Sequence, residues 1–112
     1  MGISTHILDI ALGRPAAEVA VSLARSQQGQ WLVLTEAKTD ADGRCMQMLT
    51  AGKQLESGLY RIRFETSDYF LARHRAGLYP YVEIAFEVRD AAQHYHIPLL
   101  LTENGYTTYR GS

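Results

Sequence analysis

The chain has 112 residues, of which 46% are apolar and 21% charged, and its formal net charge is −1. A chain of this length favours one domain, residues 1–112, that buries roughly two-thirds of its unfolded surface and needs no staples. The balanced charge argues against a nucleic-acid or anionic-membrane partner, no apolar run nears the ~20 residues that span a bilayer, and the lone Cys45 excludes an internal disulfide.

No charged-then-apolar segment opens the sequence, so no signal peptide is expected in it. The unpaired Cys45 favours a cytoplasmic location, with a periplasmic one if a leader precedes these residues. Low-complexity stretches, linkers and internal repeats are lacking.

Ser4 to Leu12 reads as a first strand, with His6, Leu8 and Ile10 on one face and Ile7, Asp9 and Ala11 on the other. Gly13-Arg14-Pro15 breaks it. Ala17 to Arg25 alternates, placing Val19, Val21 and Leu23 inward and Glu18, Ala20, Ser22 and Ala24 outward. Gln27 to Gln30 is a turn, Trp31 to Thr35 a third strand, and Thr39 to Gly43 a cluster of turn formers with Arg44 at its exit. Cys45 to Leu49 is a short strand and Lys53 to Gly58 a polar loop. Leu59 to Glu65 alternates Tyr60, Ile62 and Phe64 inward with Arg61, Arg63 and Glu65 outward. Ser67 is placed to cap a short helix from Asp68 to about Arg75, which Gly77 and Pro80 end. Tyr81 to Arg89 sends Val82, Ile84, Phe86 and Val88 inward, and Asp90 to Gln93 turns the chain again.

The last nineteen residues, HYHIPLLLTENGYTTYRGS, are dense in polar chemistry for a chain end. In the strand His94 to Leu101, Tyr95, Ile97, Leu99 and Leu101 share a core face, while His94, His96, Pro98 and Leu100 share a mixed one. A proline cannot donate to a ladder, so Pro98 is expected at an edge or bulge. Asn104-Gly105 marks a hairpin, and Tyr106 to Arg110 returns as its partner. Parity then brings Tyr109 to the face of His96, provided the register holds. About eight short strands at regular spacing, with one short helix, argue for an all-β antiparallel sandwich.

Four stretches carry a resemblance. They are Ser4-Thr5-His6-Ile7-Leu8-Asp9 with Gly13-Arg14-Pro15-Ala16; Asp42-Gly43-Arg44; Tyr79-Pro80-Tyr81-Val82-Glu83-Ile84; and His94-Tyr95-His96-Ile97-Pro98-Leu99-Leu100-Leu101 with the closing Tyr109-Arg110-Gly111-Ser112. With these motifs the chain resembles, over essentially its whole length, the 5-hydroxyisourate hydrolases, the transthyretin-related enzymes of uric acid breakdown. The closing Tyr-Arg-Gly-Ser separates these hydrolases from the transthyretin hormone carriers. The resemblance implies a transthyretin-like (prealbumin-like) sandwich of two four-stranded sheets. It also implies a homotetramer with active sites at the mouths of a central channel, whose partner subunits cover the mixed face of the terminal strand. The implied reaction is hydrolysis of a small purine-derived substrate, 5-hydroxyisourate, to 2-oxo-4-hydroxy-4-carboxy-5-ureidoimidazoline, without a cofactor.

Taken alone, His96 is a half-exposed strand histidine, His6 a histidine near a chain end, Arg44 a solvated loop residue and Tyr109 a cross-strand aromatic. The resemblance makes His6, Arg44, His96 and Tyr109 the catalytic set. Substrate binding falls to His6, Arg44, Tyr109 and Ser112, and Arg110 belongs to the same motif with a structural role open to it. In that set an imidazole takes a proton from water, Arg44 stabilises the developing oxyanion and Tyr109 orients the ring. The His94-x-His96 spacing suits zinc, but a zinc site needs three or four ligands, so no metal is expected. His74 reads as a partner of the helix C-terminus, and Cys45 as a small buried residue. Two other classes remain: a transthyretin-like carrier binding a small aromatic ligand in an apolar channel, and a monomeric immunoglobulin-like adhesion module.

Overall fold

The computed structural model describes residues 2–49 and 54–112. Lys53, at the start of the expected polar loop, lies outside them. The strands are β1 (Ile3–Asp9), β2 (Arg14–Pro15), β3 (Ala20–Gln27), β4 (Gln30–Lys38), β5 (Arg44–Cys45), β6 (Gly58–Phe64), β7 (Val82–Val88), β8 (Tyr95–Leu101) and β9 (Tyr106–Thr108), with helix α1 at Thr66–Leu71. They form two stacked sheets. One has the order β4-β3-β6-β7, and the other β2-β1-β8-β9 with β5 also on β1. The second sheet is five-stranded yet four positions wide. Its two shortest strands share one edge of β1, β5 at Thr5 and His6 and β2 at Leu8 and Asp9. The sandwich is antiparallel except for β1 and β8, which run parallel from Ile3↔Tyr95 to Asp9↔Leu101. β8 re-enters this sheet beside β1 only after the chain has built the other one, so the two ends of the sequence meet at its centre.

Period-two alternation explains the core. Ile3, Ile7, Val21, Leu23, Tyr60, Ile62, Phe64, Leu99 and Leu101 are all buried between the sheets. Ala24, expected outside, is also buried; it stays on the outer face opposite Arg61, and beside it an extra residue in β4 shifts the β3–β4 register between Leu23 and Ala24. β5 is shorter than the expected Cys45–Leu49 strand. Ile84 and Phe86 are only half-buried, since β7 is an edge strand.

The helix starts earlier and stops sooner than expected. Ser67 does not cap it; Glu65 stands at the N-cap without a side-chain bond. His74 adopts φ 57, and the His74 and Arg75 amides donate to the carbonyls of Leu71 and Phe70, at 3.1 and 2.9 Å. This is a left-handed C-terminal closure. His74 therefore terminates the turn by its backbone, and its exposed ring lies beyond the helix. No helix among the described residues is long and apolar enough to cross a membrane.

Candidate active site

Register across one sheet assembles the polar cluster. Ser4 pairs with His96, and His6 with Pro98. On the other side of β1, His6 pairs with Arg44. The β8–β9 register runs Leu101↔Tyr106 to Leu99↔Thr108 and resumes at a His96↔Gly111 bridge, which sets Tyr109 opposite Pro98. Arg44, His6 and Pro98 thus form one row across three strands, which Tyr109, just beyond β9, extends to roughly 14 Å at ~4.8 Å per strand. His96 and Ser4 stand in the adjacent row on the same outward face. His6 and His96 are half-buried, while Arg44 and Tyr109 are exposed.

Local chemistry holds each member in place. Asp40 organises the turn before Arg44. Its Oδ1 accepts the amides of Asp42 and Arg44, both at 2.9 Å, and its carbonyl accepts the Gly43 amide at 2.9 Å. Gly43 has φ +74, and a Cβ there would lie 2.4 Å from the Ile7 carbonyl oxygen, so only glycine lets the turn press against β1.

Pro98 occupies an inner strand, not the expected edge. The physical reason is alternation. Odd residues of β8 bond toward β1, as in Tyr95 N–H to Gly2 and Ile10 N–H to Leu101. Even residues face β9, as in Gly111 N–H to the His96 carbonyl at 2.8 Å. The donor that Pro98 lacks therefore points at Tyr109, where the ladder lapses before resuming at Gly111. Proline keeps the parallel pairing with β1 intact and loosens only the segment that carries Tyr109. Gly111 matters for another reason: a Cβ there would meet the His96 Cδ2 at 2.5 Å, so the imidazole lies directly across its backbone.

Ser4 is fully buried, and its hydroxyl lies 2.7 Å from His96 Nδ1 and 2.8 Å from His94 Nε2. The Gly2 amide donates to His94 Nδ1 at 3.2 Å. Both His94 nitrogens are therefore engaged, and the two imidazoles are joined through Ser4 rather than opened toward a shared ion. Burial, then the positive potential of His6, Arg44 and His94, holds the His96 pKa below its ordinary value, so the ring is neutral at neutral pH.

The structure thus brings His6, Arg44, His96 and Tyr109 together. Ser112 is exposed, next to Gly111. Arg110 points to the opposite face, stacked 4.3 Å from the Tyr95 ring centroid and donating to Gln93 Oε1 and the His94 carbonyl, a structural role. Cys45 is half-buried, and its burial, with the Asp40 charge, pushes its thiol pKa up. Ser4 and Gly111 both lie against His96, which spacing did not suggest. Ser4 shares parity with His6, but only the parallel register reveals that it touches His96. A cleft of about 520 Å³ opens between β7 and β9, lined by Ile84, Phe86, Tyr95 and Ile97 and also by Tyr109 and Arg110; neither imidazole lines it.

Fold and site together define a small transthyretin-like β-sandwich domain whose outward sheet face carries two imidazoles, a guanidinium and a phenol. Residues 3–111 match the HIUase/Transthyretin family, and the chain belongs to that family. It is 45% identical to the 5-hydroxyisourate hydrolase of Caulobacter vibrioides, over 99% of this chain and 98% of that one. Its fold superposes on the Klebsiella pneumoniae 5-hydroxyisourate hydrolase with a TM-score of 0.87 at 36% identity, covering all of both chains. Sea bream transthyretin, solved with thyroxine, superposes with a TM-score of 0.92 at 28% identity, covering 99% of this chain and 95% of that one.

Proposed function

We propose that this chain hydrolyses 5-hydroxyisourate, opening its cyclic amide with water to give 2-oxo-4-hydroxy-4-carboxy-5-ureidoimidazoline. The observation that carries the reading is the convergence of His6, Arg44, His96 and Tyr109 on one outward face, in a chain similar over its whole length to 5-hydroxyisourate hydrolases. An imidazole removes a proton from water as its oxygen bonds to the carbonyl carbon. Charge gathers on the carbonyl oxygen beside Arg44, whose guanidinium stabilises it. The carbon–nitrogen bond then breaks, and the freed nitrogen takes the proton. Tyr109 and Ser112 bind and orient the flat polar ring. A carrier would want an apolar lining, which this imidazole-rich face does not offer.

The half-buried Leu8 and Leu100 stand in the row beside the cluster, with Leu12 46% exposed at the end of the same segment. Apolar surface in register with functional groups suits an interface, and supports a homotetramer in which partner copies wall the site. Sedimentation giving a monomer at assay concentration would refute that arrangement. The unpaired Cys45 supports a cytoplasmic site of action.

The test is the ultraviolet decay of freshly made 5-hydroxyisourate, which also decays unaided. Wild type should accelerate it, and His96→Ala should lose about 100-fold or more of that acceleration. A folded wild type that leaves the rate unchanged sinks the proposal.

A further inference from the structure

The bonds around Ser4 have a direction. A backbone amide can only donate, so the Gly2 N–H bond makes His94 Nδ1 an acceptor. Neutral His94 then carries its proton on Nε2, which donates to Ser4 Oγ at 2.8 Å. The Ser4 O–H is left to donate to His96 Nδ1, at 2.7 Å. A neutral imidazole accepting at Nδ1 carries its proton on Nε2, the nitrogen Ser4 does not engage. Protonating His96 would set two N–H donors against the Ser4 oxygen and leave its O–H, 0% exposed, without that acceptor.

We infer that Ser4 and His94 are positioning residues that lock neutral His96 in the tautomer with Nε2–H, so that His96 donates a hydrogen bond to the oxyanion and His6 is the base. This rests on the hydrolase reading and assigns its two histidines different work. His6 takes the proton of the attacking water as the oxygen–carbon bond forms. The His96 Nε2–H and the Arg44 guanidinium both hold the negative oxygen. When the carbonyl re-forms, the carbon–nitrogen electron pair leaves with nitrogen, and imidazolium His6 returns the proton to it. His96 neither gains nor loses a proton, which a neutral, depressed-pKa imidazole suits.

The tautomer is read directly from the ring nitrogen resonances of 15N-histidine-labelled wild type near neutral pH, without substrate. The expected spectrum has unprotonated Nδ1 and protonated Nε2 for His96; the opposite tautomer overturns the inference. Ser4→Ala should give mixed tautomers and lower kcat/KM about 10-fold or more, and Ser4→Thr, which keeps the hydroxyl, should restore both. His94 is exposed, so His94→Phe removes the upstream donor without disturbing the buried Ser4, and should also mix the tautomers. The groups facing His96 are His6 from β1, Arg44 from β5, Tyr109 beyond β9 and His94 just before β8. Of these, only His6 is assigned the water proton, so His6→Ala should lower kcat/KM about 100-fold or more, and imidazole added to the buffer should restore part of the rate. A folded His6→Ala variant that keeps its rate overturns the assignment of the base. A wild type that does not hydrolyse 5-hydroxyisourate refutes the catalytic role of His96, while the spectrum still decides the relay.

Discussion

Gly111 and Arg44 show how much a single position decides. Adding one methyl at residue 111 would drive a carbon to 2.5 Å from the His96 ring and 3.2 Å from Pro98 Cγ. Gly111→Ala should therefore rotate the imidazole and cut turnover while leaving the melting temperature within a few degrees, since the residue lies at the sheet margin; matched kinetics and thermal melts check both. Arg44 presents a fork of donors, which an ammonium does not reproduce. Arg44→Lys should lower kcat by about 100-fold with the fold unchanged, the scale of losing one oxyanion donor. The depressed pKa of His96, caused first by burial and then by His6, Arg44 and His94, keeps its ring neutral below the usual histidine range. Nuclear magnetic resonance titration of its ring should find a midpoint under about 6.5, and a midpoint above that would contradict the burial argument.

At the scale of elements, the turn from Asp40 to Arg44 and the strand β8 do the positioning. Gly43→Ala would impose a Cβ at φ +74 and at 2.4 Å from the Ile7 oxygen. A left-handed non-glycine residue costs about 1–3 kcal/mol. Denaturant melts should show at least that loss, and KM should rise as Arg44 is displaced. In β8, alternation was legible from residues alone: Tyr95, Ile97, Leu99 and Leu101 are buried as spacing predicts. The place of Pro98 was not. A missing donor forbids pairing on one side only, and which side is occupied depends on neighbours far away in sequence.

For the molecule as a whole, the helix and the segment after it are tied to the β1–β8 sheet by one buried charge. Asp9 is 0% exposed and accepts bonds from Arg75 Nη1 at 2.6 Å, Tyr69 Oη at 2.8 Å and the Leu12 amide at 3.2 Å; Arg75 also donates to Glu103 at 2.9 Å. Burial alone would raise the Asp9 pKa, but the hydrogen bonds of Arg75, Tyr69 and Leu12 outweigh it and hold the carboxyl below its usual range. The folded state therefore releases this proton more readily than the unfolded state. The associated stability is full above about pH 4, the ordinary carboxylate value, and is lost as pH falls through the lower folded value. Asp9→Ala leaves Arg75 with Glu103 as its remaining carboxylate and Tyr69 without its acceptor, and should destabilise the domain by about 3 kcal/mol at neutral pH, with the difference from wild type shrinking in acid. Urea titrations at several pH values measure this.

What the sequence by itself determined is local: the alternating faces, the turns at Gln27–Gln30 and Asn104-Gly105, the sandwich class, and through its motifs the family. These follow from short-range sterics and period-two burial, which neighbouring residues dictate. Parity even placed Asp9 on one face with Ile7, though neither the burial of that face nor its partner Arg75. Only the tertiary structure decided that β1 and β8 run parallel, that Ser4 joins His94 to His96, and that Gly111 must be bare beneath an imidazole. Those contacts cross some ninety residues of chain or arise between strands whose register is set by the packed core, and no local pattern encodes which distant neighbour a strand will meet.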